Sequence, residues 1–170
     1  MSDTFLEIGN IQFPVGSDRG ITQTLDFEDN GEIIRTVNGD LKDVTRPENR
    51  KYQSQISASD LAAPAMVGKW KGTVFVIKCI PEIFQDVDPA ALAVTLERDP
   101  VLGTIVGVEA DGTRNDPDTV GGVGNRDITF LVNIVFVEFR PEITFMVEGF
   151  NQNKNEFSID VGWTLNLREV

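Results

Sequence analysis

Residues 156–170 alternate between apolar and polar side chains with a period of two. Trp163, Leu165 and Leu167 fall on one side of the alternation, and Asn166 falls on the other. Because successive side chains of a β-strand point to opposite faces, the pattern predicts a strand with one buried and one solvated face. At about 3.3 Å per residue the strand would be roughly 40 Å long, longer than most strands in small domains. A β-sheet fold is therefore expected.

Other segments also have strand patterns. Lys51–Ala58 alternates in the same way, and Thr73–Ile80 is a β-branched run that Pro81 closes. Ile143–Phe150 is a further candidate strand. Ile128–Phe139 is apolar on both alternating faces, which predicts one strand that is covered on both sides by a second layer or by a partner chain.

A β-hairpin is expected where residues 32–37 and 40–44 flank Asn38-Gly39. Asn-Gly is typical of a type I′ turn, because that turn needs positive φ at both central residues. The corresponding register places Arg35 opposite Lys42.

One domain is the default for 170 residues. Residues 1–20 read as an N-terminal arm, because short apolar pieces alternate there with glycine and proline. Residues 21–170 then form an all-β domain, an antiparallel β-sandwich or barrel-like fold with at most one short helix.

An inserted excursion is expected at about residues 85–127, where glycine is dense. Residues 88–97 are the predicted short helix, with Asp88 as its N-cap and Pro89 in its first turn. A small hairpin is expected from Leu102 to Val108.

Composition excludes several kinds of chemistry. The net charge is −12, histidine is absent and Cys79 is the one cysteine. Without histidine the chain lacks the commonest general base and metal ligand, and one cysteine makes neither an internal disulfide nor a multi-cysteine zinc site. The acidic balance disfavours non-specific binding to nucleic acid or anionic membranes. Cys79 lies in an apolar strand pattern and is expected in the core.

Carboxylates supply the remaining catalytic and metal candidates, and none forms a recognisable site. Residues 109–118 are dense in acids, but their spacing does not match an EF-hand loop and Pro117 interrupts them. Glu138, Glu142 and Glu148 fall near predicted strand ends, yet nothing selects a catalytic pair among them. We therefore predict no catalytic residue, metal site, cofactor or small-molecule substrate.

Charge is unevenly distributed along the chain. Residues 42–71 contain six cations and three acids, so this segment is +3 and the remainder is −15. Such a pattern suits contacts in which the basic face of one copy meets the acidic face of the next, although a mixed solvated surface is the alternative. The candidate interface residues are Phe5, Ile8, Phe13, Arg46, Arg50, Lys51, Lys69, Trp70, Lys71, Leu92 and Leu96.

The runs at residues 35–41 and 50–60, and the ending at 162–170, resemble small all-β virion proteins of tailed bacteriophages. Pro64, Trp70, Gly72 and Cys79 fall where that pattern continues. The similarity covers residues 21–81 and 128–170 and leaves out the arm and the insertion. Its motifs are hairpin, strand and turn signatures, and the family has no catalytic residues to transfer.

The resemblance implies a non-enzymatic virion subunit that forms rings, stacks or lattices with its own copies and with other virion proteins. A tail or connector subunit is the first expectation, with passage of DNA but no specific DNA binding, and a capsid decoration protein is the alternative. A carbohydrate- or receptor-binding module is a second alternative, with Tyr52, Trp70 and Trp163 as stacking platforms. No leader or membrane-spanning pattern is visible, so we expect folding in the host cytoplasm and a final location in the virion.

Overall fold

A computed structural model describes residues 6–13, 20–28, 33–43, 50–59, 63–88, 91–156 and 161–170. These residues form sixteen β-strands, one three-residue 3-10 turn at Val123–Asn125 and no α-helix. All the strand pairs described below are antiparallel, which confirms the predicted all-β, sandwich-like class.

The chain divides into two compact units. Within the described residues, the first contains residues 11–75 and 144–170, and the second contains residues 6–10 and 76–143. The strands are β1 Glu7–Ile8, β2 Thr22–Phe27, β3 Ile33–Arg35, β4 Leu41–Asp43, β5 Tyr52–Ser59, β6 Val74–Lys78, β7 Ile83–Asp86, β8 Ala93–Thr95, β9 Asp99–Pro100, β10 Val106–Val108, β11 Arg114–Asn115, β12 Thr119–Gly121, β13 Asp127–Thr129, β14 Phe136–Phe139, β15 Pro141–Lys154 and β16 Val161–Glu169.

The first unit contains neighbouring strands of one sheet in the order β15-β16-β5-β2. Alternation along β5 and β16 buries one face, where Ile56, Leu165 and Leu167 are at most 1% exposed. This burial confirms the predicted apolar face of the last strand. Phe157 and Ile159, which the same pattern includes, lie outside the described residues.

A polar pair is buried in this unit. Gln23 of β2 donates its Nε2 hydrogen to Ser54 Oγ at 3.0 Å, and that hydroxyl donates to the carbonyl of Thr24 at 2.8 Å. Buried polar groups are normally hydrogen-bonded, and these satisfy that rule.

The second unit contains a four-stranded sheet, β11-β10-β14-β7, and a three-stranded sheet, β12-β13-β8. Leu96, Ile134 and Phe139 are fully buried in its apolar cluster. β10 approaches this cluster closely at Gly107, where a Cβ atom would lie 2.5 Å from a ring carbon of Phe130. Cys79 is also fully buried, as predicted, and its carbonyl accepts the Arg140 Nε hydrogen at 2.8 Å.

The predicted hairpin at Asn38-Gly39 forms, but its predicted register is wrong by one residue. Arg35 pairs with Leu41 rather than Lys42. Gly39 has φ +88° whereas Asn38 does not have positive φ, so the loop is a type I turn followed by a left-handed glycine instead of a type I′ turn. The extra loop residue shifts the pairing.

The predicted helix at 88–97 is wrong. Ala93–Thr95 forms β8, in which Val94 pairs with Ile128 of β13. Residues 89–90 lie outside the described chain. Helix propensity is a weak local preference, and pairing with a neighbouring strand overrides it.

Ile128–Phe139 is not one strand either. β13 ends at Thr129 and β14 begins at Phe136, and the two strands belong to different sheets. Between them Phe130 is buried, whereas Leu131 is 80% exposed, so the segment is not covered on both sides throughout. The expected hairpin from Leu102 to Val108 is also replaced, because β10 pairs with β11 and β14.

Candidate assembly surface

The β3–β4 hairpin presents apolar side chains to solvent. Within the described chain, its strands pair only with each other. Ile33 and Leu41 are 69% and 66% exposed, and Val37 at the loop tip is fully exposed. Ile34 is exposed on the opposite face of the hairpin. We call Ile33, Ile34, Val37 and Leu41 the hairpin patch.

Local hydrogen bonds give the hairpin its shape. Thr36 N donates to Asp40 O and Gly39 N donates to Thr36 O, both at 2.8 Å. Arg35 Nη1 donates to the Gly39 carbonyl at 2.6 Å, which closes the loop with a side chain. At the base, Arg50 Nη2 lies 3.8 Å from Asp43 Oδ2.

An apolar surface of this kind is unfavourable in water. An isolated two-stranded hairpin is at best marginally stable in water. Burying a valine, leucine or isoleucine side chain contributes about 1.5–3 kcal/mol. A contact that covered the hairpin patch would therefore stabilise both the hairpin and the complex.

None of the hairpin-patch residues is among the interface candidates predicted from the sequence, because the Asn-Gly signal indicates a turn and not what covers its strands. The available signal was Ile33-Ile34. Two consecutive apolar residues in a short strand cannot both point to one covered face.

The candidate interface residues from the sequence lie in different environments. Ile8 and Leu96 are fully buried within the chain, and Phe13 is half-buried 6.4 Å from the Trp163 ring. Leu92 is 48% exposed. Phe5 and Arg46 lie outside the described residues.

The basic candidates are partly engaged. Arg50 pairs with Asp43, and Lys51 Nζ donates to the Val170 carbonyl at 3.0 Å. Lys69 is half-buried, with Nζ 5.6 Å from the centre of the Phe75 ring. Trp70 is 79% exposed and Lys71 is exposed. Trp70 and Lys71 are thus two adjacent accessible candidates in this segment.

The aromatic candidates also differ. Trp163 is 2% exposed and contributes to the core of the first unit, so it cannot stack on a ligand at the surface. Tyr52 is half-buried and stacks on Phe27, with ring centres 5.3 Å apart. Phe27 itself is 78% exposed.

The outer face of the first unit's sheet is polar. Gln55 Nε2 donates to Asn166 Oδ1 at 2.9 Å. Arg168 lies 3.1 Å from Glu28 and 3.0 Å from Glu148, which occupies a β-bulge of β15. Two shallow depressions of about 310 and 390 Å³ lie on this face. Amide and hydroxyl side chains line the first depression, among them Asn151, Thr22, Ser57 and Thr164. The second adds the carboxylates of Asp26 and Glu148 to Thr24, Gln53, Gln55 and Asn166.

The acidic run at 109–118 folds around the β10–β11 hairpin. Glu109 N donates to Thr113 O at 2.9 Å, and Gly112 N donates to Glu109 O at 3.0 Å. Asp111 Oδ1 accepts the Thr113 backbone hydrogen at 2.8 Å. This bond, and then the Thr113 hydroxyl, lower the pKa of Asp111 because they stabilise its charged form.

The acids considered for catalysis have structural surroundings. Glu138 is buried and forms an ion pair with Arg114. Glu142 lies opposite Asp99 in the register of β15 and β9. Glu148 forms an ion pair with Arg168. In the part of the chain that the structure describes, no group of three or more acidic or cysteine side chains is arranged to hold a metal ion.

No family model, curated protein or solved structure matches this chain. Among the described residues, no helix is long and apolar enough to span a membrane.

Proposed function

We propose that this chain is a non-enzymatic structural subunit of a tailed-bacteriophage virion, placed in the tail or connector, that assembles with copies of itself. The observation that carries the proposal is the hairpin patch, an apolar surface on a hairpin that has no strand neighbour in the described chain. The resemblance of residues 21–81 and 128–170 to virion proteins supports the choice of particle.

The exposure of the hairpin patch favours a protein partner. Ile33, Val37 and Leu41 are each at least 66% exposed on one hairpin, and clustered exposed apolar side chains commonly mark interaction sites. A symmetric assembly offers each copy the same partner, and it stabilises a surface that is unfavourable in the free subunit.

The polar face of the first unit suits a surface that lets DNA pass. Glu28 and Glu148 flank Arg168 there, and Asp26 lies in the neighbouring depression. Phosphates are repelled by carboxylates, so a face on which acids outnumber cations disfavours DNA binding. A subunit that lines a tube or collar would turn this face inwards.

Assembly is tested by sedimentation velocity over a wide range of protein concentrations. The wild type should form a discrete oligomer. A variant with Ile33→Thr, Val37→Thr and Leu41→Thr should have a dissociation constant at least about tenfold higher, because threonine keeps strand propensity but removes apolar surface. A matched control replaces Leu102, Val123 and Leu131, which are also exposed, by threonine. Equal assembly of both variants would reject the hairpin patch as the contact.

Location is tested on particles. Cys79 is fully buried, so an engineered cysteine at exposed Leu131 can be labelled selectively with gold. Gold at the tail or collar supports the proposal, and gold over the capsid surface indicates a decoration protein instead. Mass spectrometry that fails to find the chain in any purified particle fraction would reject a virion role.

A further inference from the structure

A basic aromatic tip stands out in the first unit. Lys69 N donates to Met66 O at 2.9 Å and Thr73 N donates to Trp70 O at 3.0 Å, so residues 66–73 make two consecutive tight turns. Trp70 is 79% exposed and Val67 is fully exposed. We call Val67, Lys69, Trp70 and Lys71 the basic tip, and residues 63–73 contain no acid.

An acidic aromatic margin stands out in the second unit. β7 is the last strand of the sheet β11-β10-β14-β7. Glu82, Phe84, Asp86 and Asp88 alternate along it and are all exposed. Phe84 is 65% exposed, and its ring meets that of Phe136 edge-on, with centres 6.1 Å apart. We call Glu82, Phe84, Asp86 and Asp88 the acidic margin.

Other charges near the acidic margin do not cancel it. Glu82 lies close enough to Arg140 for their charges to interact. Glu138, opposite Phe84, is already paired with Arg114. Residues 81–97 contain no cation, so the acidic margin is negative in its own segment.

We infer that the basic tip of one copy docks on the acidic margin of a second copy. Each surface has an exposed aromatic ring with charged side chains beside it, and the charges of the two surfaces are opposite. Tryptophan is enriched among the residues that dominate protein contacts, and complementary charges fix partner and register. The inference rests on the proposed self-assembly and names one of its contacts.

The contact is heterologous, because the two surfaces differ. Heterologous contacts close into rings when the rotation between neighbours permits closure, and otherwise they continue as stacks or filaments. Since the charges lie at the surface, added salt should weaken the contact.

Charge swapping tests the contact on the full chain. Lys71→Glu and Asp86→Lys, made separately, should each weaken self-association by about tenfold or more, because each juxtaposes like charges. Lys154→Glu and Asp118→Lys place the same charge changes at other exposed positions and serve as controls. Circular dichroism verifies that all four variants are folded.

Mixing the two variants is the decisive measurement. The reversed tip of Lys71→Glu matches the reversed margin of Asp86→Lys, and the unchanged surfaces match each other, so the mixture should regain wild-type association by forming alternating assemblies. A second readout is Trp70 emission in a Trp163→Phe background, which should shift to the blue on association.

Each outcome separates the two proposals. If the wild type assembles but neither swap weakens it, or mixing restores nothing, this contact is wrong and self-assembly stands. If the wild type stays monomeric at every concentration, both fail. If glycans rather than a second copy shift Trp70 emission, the tip is a carbohydrate site and the inference is wrong.

Discussion

The β3–β4 and β10–β11 hairpins have the same loop and opposite surroundings. In each, two backbone hydrogen bonds close a three-residue loop that ends in a glycine with left-handed backbone conformation. This glycine is Gly39 at φ +88° in the first hairpin and Gly112 at φ +89° in the second. β10 also pairs with β14 and packs Gly107 against the core, whereas β3 and β4 pair only with each other in the described chain.

The comparison shows that loop chemistry specifies a hairpin but not its role. Asn38-Gly39 and Asp111-Gly112 place a residue that favours turns before the glycine in both loops. Packing of the strands then decides whether the hairpin belongs to a core. The hairpin without a core keeps its apolar residues on the surface, and this is the basis of the proposed assembly role.

The largest effect is expected at the packed hairpin. Gly107→Ala should lower the free energy of unfolding by about 2–3 kcal/mol, because the new methyl group overpacks the core at Phe130 and Ile134. Gly121→Ala is the control, since open space surrounds that glycine. Urea unfolding measures both, and equal losses would show that the β10 contact is not tight.

The next largest effect is expected from a polar substitution, which should change stability differently in the two hairpins. Val108→Thr should cost about 1–2 kcal/mol, because Val108 is 6% exposed and threonine buries a hydroxyl. Leu41→Thr should change stability by less than about 0.5 kcal/mol, since Leu41 is exposed. Thermal unfolding of dilute, monomeric protein compares them. A large loss for Leu41→Thr would mean that the hairpin patch is already covered within the chain.

The loop glycines sharpen the comparison. Gly112→Ala should cost about 1 kcal/mol, because an L residue is strained at positive φ. We expect that loss in global unfolding, whereas the loss from Gly39→Ala should appear only as faster amide exchange within residues 33–43. Asparagine at either position tolerates positive φ better and should restore part of the loss. Equal global losses would indicate that both hairpins unfold with a core.

The smallest effect concerns pH. Because the pKa of Asp111 is lowered in the folded loop, its stabilisation is complete above the unfolded-state pKa and is lost as pH falls through the folded-state pKa. Asp111→Asn should remove this dependence, which the Thr113 amide resonance can report. Asn38→Asp places a carboxylate at the matching position of the other hairpin and should introduce a similar dependence there. An unchanged Thr113 titration in Asp111→Asn would contradict the assigned hydrogen bond.

The sequence predicted elements whose signal is periodic. Alternation located β5 and β16 because one face of each must be buried, and the structure buries Ile56 and Leu165 there. The Asn-Gly signal located the first hairpin. It could not give the register, since type I′ and type I loops both accept this pair and differ by one residue in the pairing.

Elements that depend on distant partners were not predictable. Val94 lies in a strand because Ile128 pairs with it across 34 positions of sequence, and local propensity carries no record of that contact. The candidate site shows the same limit. Trp70 and Lys71 could be selected from residue type and charge within one short segment. The exposure of Val37 and Leu41 instead depends on which residues the rest of the chain leaves uncovered.

The buried Gln23–Ser54 bond also guards against misfolding. β2 is the last strand of its sheet, and an exposed strand edge can slip or recruit another chain. A slip of one residue would turn Gln23 outwards, place Thr24 on the apolar side and leave the Ser54 hydroxyl without its acceptor. Incorrect registers thus carry a desolvation penalty, so a single buried amide disfavours slippage and aggregation at this edge of the sheet.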